Sequence, residues 1–251
     1  GNKWHGTSFK CFSSENLKDW TDHGVIFDIT CNSKWAKDFA WAPTVECKNG
    51  KYYLYYCAEK SIGLAVSNHP YGPFENLSVE EPFLSMEKLE KGIVIDQVID
   101  PSIFVDHDGR NYLYFGNSET PAVVELEDDM CTMIPGTMKN IIYEGKADCR
   151  EAFMTVYEQG RYHFTWSCDD TRSEDYHVNY GISDSPLGPV KVIGTILQKN
   201  VEKDILGTGH HGMIKDPVTG KYLIAYHRFS HSLPEGVSGW DRGAFRETCL
   251  D

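Results

Sequence analysis

Four segments of this chain repeat one short pattern, and that repeat limits its fold more than any other feature. Each is a turn glycine, a basic residue and an aromatic or β-branched run: GKYYLYY from Gly50, GRNYLYF from Gly109, GRYHFTW from Gly160 and GKYLIAY from Gly220. The glycines stand 59, 51 and 60 residues apart. A strand-like run precedes each one: APTVECKN, PSIFVDHD, AFMTVYEQ and GMIKDPVT. A strand, a glycine turn and a second strand make a β-hairpin.

Further strands follow within the period. IGLAVSNHPYGPF (62–74) and VNYGISDSPLGPV (178–190) are near copies, and FKCFSSENLKDW (9–20) is a weaker one. Three to four antiparallel strands per period of about 50–60 residues describe a propeller blade. No useful helical period appears, and 14 Tyr, 12 Phe and 6 Trp suit pleated strands. The expectation is an all-β, five-bladed β-propeller whose first and last blades are incomplete, with residues 1–251 as a single domain. Residues 9–20 read as the end of a blade whose hairpin is missing, and FRETCLD ends inside a strand, so the chain reads as truncated at both ends.

Charge and composition exclude several function classes. Lys plus Arg is 24 and Asp plus Glu is 37, a net charge of −13. That balance speaks against a nucleic-acid or anionic-membrane surface, which needs clustered positive charge. No apolar run approaches the roughly 20 residues of a membrane span. The eight cysteines form no CxxC pair, so the expectation is free thiols rather than zinc or redox chemistry. Oligomeric state and compartment are left open.

Nine residues before each hairpin glycine stand Trp41, Asp100, Glu151 and His211. In equivalent blades these share one layer near the start of the innermost strands, which converge on the propeller axis. Two carboxyl groups facing one cavity suit glycoside hydrolysis: one protonates the leaving oxygen while the other activates water or attacks the sugar. An Asp-Pro turn at Asp100 and an exposed edge-strand carboxylate at Glu151 are the competing structural readings.

The segments WAPTVECKNGKYYLYY, IDPSIFVDHDGRNYLYFG, REAFMTVYEQGRYHFTWS and GTGHHGMIKDPVTGKYLIAYHR together resemble glycoside hydrolase family 43 from about Trp20 onward. The resemblance implies a five-bladed propeller and an inverting hydrolase that removes arabinofuranosyl or xylosyl units from plant-type glycans. It implies that Glu151 is the general acid, although Ala152-Phe153 stands where the family more often has Gly-Pro. Asp100 then matches the carboxylate that orients and tunes the acid. His210 of GTGH matches the histidine near the axis that, in many members, helps hold a hydrated calcium ion; blade register favours His211, while the distance from GTGH to YHR favours His210, the residue adopted. A hard cation prefers oxygen, so a lone His means a mostly water-filled shell. Trp41 and Ala42 match the WAP segment bordering the sugar pocket, Phe39 adds a wall, and Arg228 of YHR is a hydroxyl-binding or carboxylate-orienting candidate.

One element of that pattern is missing. The family's general base is an Asp on the inner strand of the first blade, a stretch that would precede Gly1. Asp96 and Asp38 lie near suitable loops but read as ordinary loop carboxylates. The rival readings are a non-catalytic carbohydrate-binding propeller and a retaining fructan-type hydrolase, the latter without its WMNDPNG and RDP motifs despite Glu46-Cys47. An inverting pair of carboxyl groups should stand about 6.5–9.5 Å apart to admit water.

Overall fold

Each of the four glycine turns closes a hairpin that grows into a sheet of its own, and a fifth sheet lies at the start of the chain. The computed structural model describes residues 4–251. The first sheet pairs β1 (Ser8–Ser13) with β2 (Thr21–Asp28). The second sets β3 (Trp41–Lys48), β4 (Lys51–Ala58), β5 (Ser61–Ser67) and the two-residue β6 (Glu75–Asn76) side by side. The third holds β7 (Ser102–Val105), β8 (Asn111–Phe115), β9 (Ala122–Leu126) and β10 (Lys139–Asn140).

The fourth sheet is the widest. The strands β12 (Cys149–Glu158), β13 (Arg161–Cys168), β14 (His177–Ser183) and β15 (Val190–Leu197) form an antiparallel meander. A short β11 (Tyr143–Glu144) adds parallel to the free edge of β15. The fifth sheet joins β16 (Gly209–Lys215), β17 (Tyr222–Phe229) and β18 (Arg246–Leu250). Chain-consecutive antiparallel strands are the plan of a propeller blade, so the architecture is all-β and propeller-like in its strand plan. Its one α-helix spans four residues, Ile29–Asn32, among the described residues.

Contacts within the chain divide it into two compact units: residues up to Gly116 with Ala122–Lys139, and Asn117–Pro121 with Asn140–Asp251. In the first unit, Tyr55, Ile62 and Leu64 pack with Leu113, Phe115 and Val124 in one apolar cluster. A second cluster gathers Phe27, Leu54 and Ala65 around Tyr56. In the second unit the fully buried Trp166 lies 4.9 Å from the Tyr143 ring and 6.4 Å from Phe153, centroid to centroid. Its indole N–H donates to the Ala147 carbonyl at 2.9 Å, so no polar cost of burial remains at that atom. Strand β4 is buried along almost its whole length, as a central strand covered on both faces should be, whereas β3 alternates.

Two glycines make this packing possible. A Cβ on Gly63 would collide with the Tyr56 ring, and one on Gly181 would lie 2.6 Å from Val190 and 3.1 Å from the Trp166 ring. They stand two positions apart when the near-copied segments are aligned, yet in each sheet a glycine on the third strand leaves room for a large ring on the second.

The first hairpin strands of four sheets share a second feature. Ala42 (φ 32°), Asp100 (56°), Ala152 (56°) and His210 (46°) are all left-handed non-glycine residues at or just before strand entry. Register slips accompany three of them, between Trp41 and Thr44, Glu151 and Met154, and Gly209 and Gly212. Such bulges re-aim a side chain that regular pleating would place elsewhere.

Candidate active site

The second unit builds its site at the entry of β12. Glu151 is buried there, although β12 is the edge strand of its sheet, so the reading of an exposed edge carboxylate does not hold. Its Oε1 accepts the Tyr176 hydroxyl at 2.7 Å, and its Oε2 accepts the Asn117 amide at 2.5 Å. His210 Nδ1 stands 3.9 Å from Oε1. Burial raises the proton affinity of Glu151, but the His210 imidazole and the Tyr176 hydroxyl outweigh it and hold the carboxyl below the ordinary glutamate value.

The bulge between Gly209 and Gly212 separates the two adjacent histidines. His210 faces Glu151, with its backbone N–H donating to Ser167 Oγ at 2.9 Å. His211 turns into the interior, where Nε2 meets Thr165 Oγ1 at 2.6 Å and burial drives its pKa down to about 3. A neutral core histidine is therefore His211, and the side chain beside the carboxyl is His210. Counting back nine residues points to His211 because the turn at Gly220 is two residues longer than the others: Gly209 pairs with His227, 18 positions on, where Trp41 with Cys57 and Glu151 with Ser167 pair 16 apart.

On β17, neighbouring residues face opposite ways. His227 stacks on Tyr176 at 5.5 Å with the rings 1° from parallel, and its Nε2 accepts from Arg246 Nη1 at 2.9 Å. Arg228 instead pairs with Glu247 on β18, through Nε at 2.8 Å and Nη2 at 2.7 Å. The arginine joined to the Glu151 surroundings, through His227, is Arg246. Sequence reasoning missed Tyr176, Asn117, His227 and Arg246. His227, seven residues after Gly220, shares the register position of Cys57 and Ser167, and FRE marks the last strand, whereas Tyr176 and Asn117 carry no periodic mark. A cleft of about 860 Å³ opens beside the β12 entry, lined by Lys146, Asp148, Arg150, Asp169 and His177 among others.

The first unit carries the remaining candidates. Trp41 is half-buried; its indole N–H donates to the Trp4 carbonyl at 2.8 Å, and its ring lies 4.8 Å from Phe39. Phe39 and Ala42 flank it, both with positive φ. Asp100 is buried, and its backbone N–H faces the Cys57 sulfur, whose pKa rises through burial and through the Asp100 charge. Of the two loop carboxylates, Asp96 is exposed. Asp38 accepts from Phe39 N at 2.7 Å, from Gly6 N at 3.1 Å and from His5; these bonds outweigh its desolvation and hold it below the usual range. That bonding ties residues 5–6 to the loop before Trp41. All eight cysteines are free.

Blade-like sheets with a buried carboxyl held by two donors at a strand entry fit the frame of a glycoside hydrolase. The family model described as glycosyl hydrolases family 43 matches residues 2–251, and the chain belongs to that family. It is 34% identical over 239 residues to the β-D-galactofuranosidase xynD of Aspergillus niger, covering 88% of this chain and 66% of that protein. Among solved structures, an α-L-arabinofuranosidase from Clostridium thermocellum matches with a TM-score of 0.80 at 29% identity, covering 98% of this chain and 78% of the other. A β-xylosidase/α-arabinofuranosidase from a compost metagenome, solved with xylotriose in calcium-free form, matches with a TM-score of 0.76 at 26% identity, covering 99% and 80%.

Proposed function

We propose that this chain removes arabinofuranosyl or xylosyl units from plant-type oligosaccharides or polysaccharides with inversion at the anomeric carbon. The observation that carries the reading is the buried Glu151 carboxyl, fixed by donors on both oxygens at a strand entry. Glu151 protonates the glycosidic oxygen as the C–O bond breaks. It is anionic in the open site, and a sugar that displaces water raises the cost of that charge and favours the protonated acid. Asp100 orients the acid and tunes its proton affinity, and an Asp on a strand outside these 251 residues activates the water. Trp41 offers an indole face to the sugar ring, with Phe39 and Ala42 beside it; Arg228 stays a candidate contact for substrate hydroxyls or a carboxylate, subject to its Glu247 pairing.

The five sheets are read as five blades, the first and last incomplete. A calcium ion fits this chain only as a hydrated one. His210 brings a single imidazole nitrogen, and the carboxyl beside it already accepts two hydrogen bonds. Bound through water at His210, such an ion would supply fixed positive charge and hold waters in place.

The test is hydrolysis of aryl α-L-arabinofuranoside, β-D-xyloside and β-D-galactofuranoside by the full-length protein and its Glu151→Gln variant. The galactofuranoside is included because a relative carries that activity in its name. Turnover on one of these, lost in the variant, with the inverted anomer formed first by NMR, supports the proposal. Turnover unchanged in Glu151→Gln, or a retained anomer, overturns it; binding without turnover in the full-length protein favours a carbohydrate-binding propeller.

A further inference from the structure

We propose that Tyr176 and Asn117 are positioning residues that fix the plane of the Glu151 carboxyl for proton delivery, and that Gly209 remains a glycine to admit Tyr176. The inference rests on the assignment of Glu151 as the general acid. A carboxyl free to rotate spends most of its time with its proton aimed away from the leaving oxygen, and a misaimed acid forfeits much of the benefit of proximity. One donor on each oxygen, Tyr176 Oη at 2.7 Å and Asn117 Nδ2 at 2.5 Å, removes that rotation. Both partners are buried, Tyr176 completely, so neither exchanges its bond for water.

Tyr176 is itself wedged. His227 stacks on one side of its ring with the planes 1° from parallel. At Gly209, an added Cβ would fall inside the contact distance of ring atoms Cδ1 and Cε1, so the ring occupies the space a side chain would need. His227 is kept neutral by burial first and by the Arg246 charge second, and its Nε2 accepts from that guanidinium. The ring therefore packs between a neutral imidazole and bare backbone, with its hydroxyl pointing at Oε1. This gives the second glycine of GTGH a physical reason, and it gives the loop between β13 and β14 a task. That loop supplies the residue that aims the acid.

The experiment compares two aryl glycosides in the full-length protein: a phenyl glycoside, whose poor leaving group needs the acid, and a dinitrophenyl glycoside, which does not. Glu151→Gln is the reference, expected to lose about 10²–10⁴-fold in kcat/KM on the phenyl substrate and far less on the dinitrophenyl one. Tyr176→Phe is expected to show the same pattern in weaker form, about 10-fold on phenyl with the activated substrate nearly unchanged. Asn117→Ala and Gly209→Ala should follow Tyr176→Phe. Equal losses on both substrates in Tyr176→Phe, or none on either, overturn the positioning role. A Glu151→Gln variant without leaving-group dependence instead overturns the acid assignment beneath it. A crystal structure of Gly209→Ala gives a readout independent of turnover: the Tyr176–Glu151 separation should open beyond hydrogen-bond reach, and an intact bond would overturn the role given to the glycine.

Discussion

The sheet of β3–β6 and the sheet of β12–β15 are built to one plan and carry different side chains at their entries. Both close on a two-residue turn with positive φ at both positions, Asn49-Gly50 and Gln159-Gly160. Both set a glycine under a large ring, Gly63 under Tyr56 and Gly181 under Trp166. In both, the seventh residue after the turn glycine reaches the entry of a following sheet: Cys57 meets the backbone N–H of Asp100, and Ser167 Oγ accepts from His210. The difference lies at strand entry, where one has Trp41 and the other Glu151, and in the loop leaving the second strand, which carries Tyr176 only in the latter. The scaffold repeats, then, while the chemistry is confined to a few residues at entries and loops.

The largest effect should come from exchanging the two entry residues' chemistry. Glu151→Gln is expected to cost about 10²–10⁴-fold in kcat, whereas Trp41→Phe keeps a ring and should raise KM several-fold with kcat largely held. If steady-state kinetics showed Trp41→Phe losing kcat as heavily, the division into a proton-transferring and a sugar-facing entry would collapse.

A pH difference should come next. The fifth residue after the turn glycine is Tyr55 in one sheet and Thr165 in the other, and only Thr165 is bonded to a titratable side chain, His211. With His211 at about 3 in the folded protein and near 6.5 unfolded, the unfolded chain binds the extra proton between those values. Its contribution is fully present above about pH 6.5 and declines as the pH falls toward 3, by on the order of 5 kcal/mol. Urea unfolding at stepped pH should show this slope flattened in His211→Gln.

Smaller effects test the shared plan. Gly63→Ala and Gly181→Ala should each destabilise by about 1–3 kcal/mol through overpacking against Tyr56 and Trp166. A neutral result at either one in chemical denaturation would mean the rings are not matched in packing. The smallest effect separates the turns: Gln159→Asn should add about 0.5 kcal/mol, because Asn adopts left-handed backbone more readily than Gln and Asn49 already does so in the other sheet.

Much of the strand plan was legible because a Gly turn between β-rich runs is a local signal, and its repetition set the blade period. The first and last strands were legible on other grounds, one as a weak copy of the 62–74 and 178–190 segments and the other as a strand-like run at the end of the sequence. Glu151 and Trp41 could be found by register, since both precede their turn by nine residues. Register failed at His210 because the turn at Gly220 is two residues longer than those at Gly50 and Gly160, so a fixed count from the glycine lands past the strand entry. It was silent on Arg228 against Arg246, since the face a strand residue takes is known only once its pairing is known. Tyr176 and Asn117 were invisible for another reason: they sit in loops, where no period applies and three-dimensional proximity to Glu151 is the entire signal.

The left-handed strand entries also bear on how this protein could be hardened against heat. Relieving strain by placing glycine at Ala42 or Ala152 looks attractive, since either residue carries a Cβ at positive φ. Yet those bends aim Trp41 and Glu151, and a freer backbone there would exchange thermal tolerance for aim. The hairpin turns lie at the other end of the same strands and steer no functional group. Durability can be engineered at the turns while the entries are left untouched, so that one strand holds both a tunable end and a protected one.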